Sequence, residues 1–137
     1  MDNAKTAIYC RVACPDDMAL RNQSELVSRF AVDNGYTDCV NYCDCGSNGL
    51  SLNRPGFNAL MVDARGGRVK TVIVKDISRI ARDYTVFYKW IDEMERLGVT
   101  FVSVIEGKFT MDNDLLADIK RQILAAYNAS KRKRVAK

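Results

Sequence analysis

Residues 70–84 read K-T-V-I-V-K-D-I-S-R-I-A-R-D-Y, and they carry the strongest structural signal in the chain. The first six are four β-branched residues between two lysines, a composition typical of a short buried strand. An amphipathic pattern over residues 84–97, ended by Gly98, predicts the helix that follows. A strand followed by a helix is the repeating unit of α/β proteins.

The same alternation extends in both directions from this stretch. Strands are predicted at residues 5–12, 38–42, 70–75 and 99–105, and helices at residues 18–34, 55–65 and 84–97. A further long helix is predicted from about residue 112 into the basic chain end, through Leu115, Ile119, Ile123 and Tyr127. We therefore expect an α/β fold, with a mostly parallel sheet of four or more strands flanked by helices.

Two details of this pattern concern the position of a site. Residues 44–55 are rich in Gly, Ser and Asn, which predicts a mobile surface loop. In open parallel sheets, ligands bind beyond the carboxyl ends of the strands, so function is expected just after Val12, Tyr42, Val74 and Ile105.

The apolar face of the first predicted helix consists of Leu20, Leu26, Val27, Phe30 and Ala31.

Composition indicates one compact domain, because the chain has 137 residues, of which 47% are hydrophobic and 28% charged. Its apolar runs are shorter than the roughly 20 residues of a membrane-spanning helix, and no leader opens it, so a cytoplasmic location is expected. The five cysteines are expected to be reduced thiols, since their spacing is not that of a zinc site. The absence of histidine excludes Ser-His, Cys-His and His-metal mechanisms, and no metal is expected.

Positive charge is concentrated at the chain end. The net charge is +4, and residues 130–137 contain five cations and no acid, so the remainder has a net charge of −1. Such a basic end either contacts phosphates or is simply solvated.

Arginines follow three of the four predicted strands. Arg11 ends the first strand, Arg54 closes the loop after the second, and Arg79 and Arg82 follow the third with the spacing of one helical turn. Guanidinium groups bind phosphate oxygens in pairs and stabilise the charge of a phosphoryl-transfer transition state without a metal. The alternative is that each arginine is a surface charge paired with Asp44, Asp76 or Asp83. No glycine-rich nucleotide motif follows a strand, so no dinucleotide cofactor is expected.

Four pieces of the sequence together form a family pattern. They are Y-C-R-V at Tyr9–Val12, the downstream Gln23, the loop of residues 44–57 and the segment of residues 74–84. In order and spacing they resemble the catalytic domain of the serine recombinases, the resolvase and invertase family, and in particular the large recombinases of conjugative transposons and phages. The resemblance spans about residues 5–135, so residues 1–137 are expected to form one catalytic domain, with DNA-binding domains beyond Lys137.

The resemblance implies site-specific DNA strand exchange. In this family a serine hydroxyl attacks the scissile phosphate and forms a phosphoserine link to a 5′ DNA end, so neither ATP nor a metal or other cofactor is required. The expected partners are double-stranded DNA and further copies of the chain, as a dimer and as a tetramer during strand exchange. A bacterial cytoplasmic location is implied, at the nucleoid when the protein is on DNA.

The resemblance also assigns residue roles. Arg11, Arg79 and Arg82 would hold the phosphate, and Arg54 would reach in from the mobile loop. Supporting positions are Tyr9, Gln23, Ser47, Asn48, Ser78 and Asp83. The long last helix resembles the family's dimerisation helix, and its basic end, Lys131, Arg132, Lys133 and Arg134, would lie over the DNA minor groove.

The sequence departs from the family pattern at the nucleophile. The residue that follows Arg11 and Val12 is Ala13, whose methyl group cannot attack phosphorus, so this chain is expected to be inactive. An engineered substitution and natural divergence both explain Ala13. Further departures are Asn48, where the family usually has serine and Ser47 is displaced by one, and Ser78, where many members have aspartate.

Two alternatives remain open at this point. The thiol of Cys14 could replace the serine, but a shift of one residue at a strand end reverses the side-chain direction. In function, the alternative to a recombinase domain is a non-catalytic dimerisation or DNA-docking module that kept the fold after losing the chemistry.

Overall fold

A computed structural model describes residues 4–13, 16–46 and 54–109. The strands are β1 (Lys5–Val12), β2 (Cys39–Cys45), β3 (Val69–Val74), β4 (Thr100–Ser103) and β5 (Gly107–Phe109). The helices are α1 (Asp17–Asp33), α2 (Pro55–Arg65) and α3 (Tyr84–Arg96), and a 3-10 turn covers Ile77–Arg79. In the described part of the chain, no helix has the length and apolar character that crossing a membrane requires.

The sheet has the strand order β2-β1-β3-β4-β5. The first four strands are parallel, and β5 alone runs antiparallel, against β4. The predicted α/β class with a mostly parallel sheet is therefore confirmed. The fourth strand was predicted over residues 99–105 but ends at Ser103. A turn then reverses the chain before Gly107, which has a φ of 98°, and leads into the short strand β5, which was not predicted.

Local sequence explains where the helices begin and end. The Asp16 side chain accepts a hydrogen bond from the backbone N–H of Ala19 at 3.0 Å and caps α1. Gly35, with a φ of 80°, follows the end of α1 in the left-handed conformation. Pro55 occupies the first turn of α2, where the missing N–H costs nothing.

The two faces of the sheet are covered by different helices. Helices α2 and α3 pack on one face, where Ala7, Tyr9, Val72 and Val74 join a core with Phe57, Leu60, Phe87, Trp90 and others. Helix α1 packs on the other face, where Ile8, Cys10, Val27, Ala31, Ile73 and Val102 form a second core. Successive residues of β1 and β3 thus alternate between the two cores.

One residue of the predicted apolar face of α1 is misplaced. Leu26 is 44% exposed, whereas Gln23, Val27 and Ala31, spaced four apart, form the buried line of the helix. A neighbouring residue is rotated by about 100° around a helix, which carries Leu26 away from the sheet. Leu20 and Phe30 are partly buried against the same core, as predicted.

The predicted surface loop of residues 44–55 is also corrected in part. Strand β2 continues through Asp44 and Cys45, and both Asp44 and Arg54 are buried. The reason is a set of polar contacts between these two residues, β1 and α2, described below. The expected long helix from about residue 112, its basic end, Cys14, Ser47 and Asn48 lie outside the described residues.

Candidate phosphoryl-transfer site

The predicted site residues converge where β1 and β3 end side by side in the sheet. The strand order reverses direction between these two strands, since β2 lies beyond β1 and β4 beyond β3. Such a reversal leaves a crevice at the carboxyl ends of the strands. Arg11 is the penultimate residue of β1, next to this crevice, and the 3-10 turn that contains Arg79 follows β3.

Arg11 is buried, with 1% of its surface exposed. Its Nε donates to the backbone oxygen of Arg79 at 3.1 Å, and its Nη2 donates to the backbone oxygen of Ser78 at 2.6 Å. Burial, with the nearby positive charge of Arg54 as the second cause, lowers the pKa of Arg11. The Arg11 guanidinium thus holds the 3-10 turn against the end of β1.

Arg54 is 2% exposed and approaches the same turn from the start of α2. Its Nη1 donates to the Tyr9 hydroxyl at 2.7 Å and to the backbone oxygen of Arg79 at 3.0 Å. Its Nη2 donates to the backbone oxygen of Ile80. The guanidinium carbon also lies 5.3 Å from the centroid of the Phe57 ring, within cation–π range.

Tyr9 and Asp44 complete this buried polar group. The Tyr9 hydroxyl donates to Asp44 Oδ2 at 2.7 Å, and burial, reinforced by that carboxylate, raises the pKa of Tyr9 well above its usual range. Asp44 also accepts from the backbone N–H groups of Gly56 at 2.8 Å and Phe57 at 2.9 Å. Asp44 therefore joins β1, β2 and the first turn of α2, a role that sequence reasoning missed by treating it only as a possible arginine partner.

Gly56 permits this close approach. A Cβ atom at this position would lie 2.3 Å from the backbone oxygen of Cys43 in β2. Only a residue without a side chain brings the first turn of α2 within hydrogen-bond distance of Asp44.

Gln23 joins α1 to the end of β1 by two hydrogen bonds. Its Oε1 accepts from the backbone N–H of Arg11 at 2.9 Å, and its Nε2 donates to the backbone oxygen of Arg11 at 3.1 Å. Because Gln23 is buried, both bonds are shielded from water. The predicted supporting position at Gln23 thus lies in direct contact with the Arg11 backbone.

Asp76 organises the 3-10 turn. Its carboxylate accepts from the backbone N–H of Ser78 at 3.0 Å and from the Ser78 hydroxyl. Asp76 Oδ2 also lies 3.4 Å from Arg79 Nε, an ion pair whose geometry does not make a hydrogen bond. Arg79 Nη1 donates to the backbone oxygen of Arg11 at 3.1 Å, so the side chain of Arg79 spans the gap between the turn and β1.

We call Arg11, Arg54 and Arg79 the arginine cluster. The predicted fourth member, Arg82, lies beyond the turn and is exposed, so the expected shared helical turn with Arg79 is wrong. The turn ends because Ile80 and Ala81 are buried in the core and the chain then enters α3. Asp83 caps α3 by accepting from the backbone N–H of Thr85 at 2.8 Å.

A cavity of about 460 Å³ opens beside the arginine cluster, and we call it the Ala13 pocket. Its lining consists of Val12, Ala13, Asp16, Ala19, Asn22, Gln23, Leu26, Lys75 and Arg79. Ala13 itself is exposed at the end of β1. Of the four predicted arginines, only Arg79 borders this pocket, and its second cation, Lys75, was missed by sequence reasoning.

The described segments contain no group of three or more histidine, cysteine or acidic side chains that could hold a metal ion. The cysteines described, Cys10, Cys39, Cys43 and Cys45, are free thiols.

Known proteins give a consistent picture of this chain. The family model described as Resolvase, N terminal domain, matches residues 6–137. A search of curated proteins finds no match. Among solved structures, a resolvase family site-specific recombinase from Streptococcus pneumoniae is 26% identical, with a TM-score of 0.67 over 97% of this chain and 98% of that one.

Two further structures share the fold. The N-terminal catalytic domain of TP901-1 integrase is 24% identical, with a TM-score of 0.76 over 94% of this chain and 97% of that one. The C-terminal catalytic domain of ISC1926 TnpA, an IS607-like serine recombinase, is 21% identical, with a TM-score of 0.68 over 96% of this chain and 85% of that one. With its sheet order, its arginine cluster and the match of almost its whole length, the chain belongs to the resolvase family of site-specific serine recombinases.

Proposed function

We propose that this chain is a recombinase catalytic domain whose DNA-cleavage site is the Ala13 pocket, and that it is inactive in cleavage because Ala13 occupies the nucleophile position. The observation that supports this most directly is the placement of Ala13. It lies exposed just beyond Arg11 and Val12 and lines the same cavity as the side chain of Arg79. A hydroxyl at this position would face the cavity that an arginine already borders.

The proposed reaction is a transfer of phosphorus between oxygens. With serine at position 13, the hydroxyl oxygen forms a bond to the scissile phosphorus, the bond to the DNA 3′ oxygen breaks, and the serine proton ends on that 3′ oxygen. The product is a phosphoserine link to the 5′ end, which conserves the bond energy for resealing. No cofactor enters this scheme.

The arginines take two kinds of role in this proposal. Arg79 and Arg82 contact the phosphate, since Arg79 borders the pocket and Arg82 is exposed. Arg11 and Arg54 are positioning residues in this conformation, because their buried guanidinium groups donate to the backbone oxygens of the turn that carries Arg79. Tyr9 and Gln23 support these two arginine positions by direct hydrogen bonds.

The remaining residue roles are proposals by resemblance. Ser47 and Asn48 would flank the site, Ser78 would hold the turn, and Lys131, Arg132, Lys133 and Arg134 would contact DNA phosphates. Double-stranded DNA is the proposed substrate, with a dimer that becomes a tetramer during exchange. Contacts made by such a short basic segment are salt-dependent and carry no sequence information by themselves.

The test restores the missing atom. The Ala13→Ser variant and the parent are each joined to a DNA-binding domain of known target, and each is mixed with duplexes that carry two such targets around a randomised centre. A denaturing gel detects DNA that migrates with protein. We expect an adduct from Ala13→Ser, none from the parent, and none from Ala13→Ser combined with Arg79→Ala.

Two other outcomes would change the proposal. An adduct from the parent that disappears with Cys14→Ala would assign the chemistry to the thiol. Intact DNA binding without an adduct from Ala13→Ser would contradict a latent catalytic site and favour the non-catalytic docking module.

A further inference from the structure

Strand β3 directs Lys75 toward the Ala13 pocket. Val72 and Val74 pack in the core beneath α2 and α3, whereas Ile73 packs in the core beneath α1. Because strand residues alternate between faces, Lys75 continues the line of Ile73 on the α1 side. This is the side on which the pocket opens, and Lys75 lines it.

The backbone of Lys75 is held by hydrogen bonds, whereas its ammonium group makes no ion pair with another described residue. The backbone oxygen accepts from the N–H of Ile105 at 3.1 Å and from the Ser103 hydroxyl at 3.4 Å. None of the ion pairs within residues 4–13, 16–46 and 54–109 includes Lys75. Among the described residues, Lys75 is thus anchored by its backbone and has no carboxylate partner, which leaves its ammonium group available for a ligand.

The charges around the pocket make an anion the fitting ligand. Lys75 and Arg79 supply two positive side chains. Among the described lining residues Asp16 is the only acid, and its Oδ1 accepts from the backbone N–H of Ala19 at the start of α1. Arg79 also shares its charge with Asp76. Lys75 is thus the one cation of the lining with no acidic partner among the described residues.

We propose that Lys75 is a substrate-binding residue that contacts the phosphate in the Ala13 pocket together with Arg79. The inference rests on the proposed function, since the anion it names is the DNA phosphodiester. A lysine binds phosphate as a mobile point charge, while an arginine offers a planar fork. The two side chains approach the pocket from neighbouring positions, Lys75 from the end of β3 and Arg79 from the 3-10 turn, and would neutralise different oxygens.

The experiment uses the unmodified 137-residue chain and inorganic phosphate as the probe. Nuclear magnetic resonance follows the backbone signals of Ala13 and Asn22 during the titration, in a buffer of constant ionic strength. Three variants are compared with the parent, namely Lys75→Gln, Lys75→Arg and Lys70→Gln. Lys70 is the matched control, because it is an exposed lysine at the opposite end of the same strand.

We expect phosphate to shift the pocket signals in the parent. Lys75→Gln should raise the apparent Kd about tenfold and Lys75→Arg by less than about threefold, whereas Lys70→Gln should leave it within about twofold of the parent. A structural role for Lys75 would instead shift signals throughout β3 and β4 before phosphate is added. Equal weakening by Lys75→Gln and Lys70→Gln would reduce the effect to net charge and overturn the proposal.

The failure of this inference is distinguishable from failure of the proposed function. Pocket signals that respond equally in the parent and in Lys75→Gln would remove Lys75 but leave the phosphate site. Pocket signals that do not respond in the parent would overturn the inference outright. The cleavage function is measured separately by the adduct that Ala13→Ser forms.

Discussion

The two sides of Arg79 differ in how they hold positive charge. On the α2 and α3 side, Arg11 and Arg54 are almost fully buried and donate to the backbone oxygens of the 3-10 turn. On the α1 side, Lys75 lines an open pocket together with Ala13. The cations around the site therefore divide into two kinds. Arg11 and Arg54 hold its structure together, whereas Lys75 is accessible to a ligand.

Strand alternation produces this division. Arg11 shares the face of β1 with Tyr9, which belongs to the core under α2 and α3, so its side chain enters the protein. Val12 and Lys75 belong to the opposite face, where α1 leaves a cavity beside Gln23. Arg79 connects the two sides, because its Nη1 donates to the backbone oxygen of Arg11 and the residue also lines the Ala13 pocket.

The largest expected effect is a loss of stability in Arg54→Ala. Removing this guanidinium leaves the Tyr9 hydroxyl and the backbone oxygen of Ile80 without their donor in a buried setting. Breaking such a buried charged network costs about 3–5 kcal/mol. Urea unfolding of the 137-residue chain, followed by circular dichroism, measures the difference in free energy.

Arg82→Ala is the matched control, because Arg82 is an exposed arginine close to the same turn. We expect its free energy of unfolding to stay within about 0.5 kcal/mol of the parent. If Arg54→Ala and Arg82→Ala unfold at the same urea concentration, the division between buried and available cations is wrong.

Asp44→Ala should have the next largest effect. The substitution removes the acceptor of the Tyr9 hydroxyl and of the N–H groups of Gly56 and Phe57. We expect a loss of about 2–3 kcal/mol, since buried donors are left unpaired. Asp83→Ala, which removes an exposed helix cap, should cost about 1 kcal/mol, and a ranking in the opposite order would contradict the joining role of Asp44.

Sequence reasoning succeeded where local pattern decides the structure. Strand β1 has the predicted bounds, and α1 starts and ends within one residue of the prediction. Hydrophobic periodicity and capping are local properties, and they are written in a few neighbouring residues. Arg11, Arg54, Arg79 and Arg82 were expected at one edge of the sheet because they follow predicted strands. The first three converge there, whereas Arg82 is exposed beyond the turn.

The prediction from sequence was incomplete where contacts between residues distant in the chain determine the structure. The glycine-rich composition after Asp44 predicts a loop, but the capping of α2 by Asp44 draws that residue into the strand and buries it. The burial of Arg54 depends on Tyr9 and Ile80, which lie far from it in the chain. No sequence pattern marks Lys75 as a site residue. Its position becomes evident only in the structure, where it lines the pocket beside α1.

A third prediction concerns alkaline pH and compares the two cores. Burial, reinforced by Cys43, raises the pKa of Cys10 from 9.0 to about 12 in the core under α1. A raised pKa of an acid favours its neutral form in the folded state, so the stabilisation is complete below pH 9.0 and is lost as pH rises toward about 12. We expect a loss on the order of 1 kcal/mol between pH 8 and pH 10.

Urea unfolding at several pH values, with a reducing agent present, measures this loss. In Cys10→Ala the baseline stability falls because a buried side chain is shortened, but the decline between pH 8 and pH 10 should flatten. An unchanged slope in Cys10→Ala would assign the alkaline sensitivity to other groups. One such group is Tyr42, because burial and the Asp63 carboxylate raise its pKa to about 12.

The smallest expected effect is that of Ser78→Ala, which tests what holds the turn shared by the buried group and the pocket. The substitution removes the hydroxyl that donates to Asp76 but keeps the backbone N–H that also donates to it and the backbone oxygen that accepts from Arg11. Since two of the three contacts remain and the site is only partly buried, the cost should be about 0.5–1 kcal/mol in urea unfolding. A cost as large as that of Arg54→Ala would mean that the Asp76 cap, and not the arginine side chains, holds Arg79 in place. In that case the buried arginines would lose their positioning role, and the pocket would depend on its own side of the sheet alone.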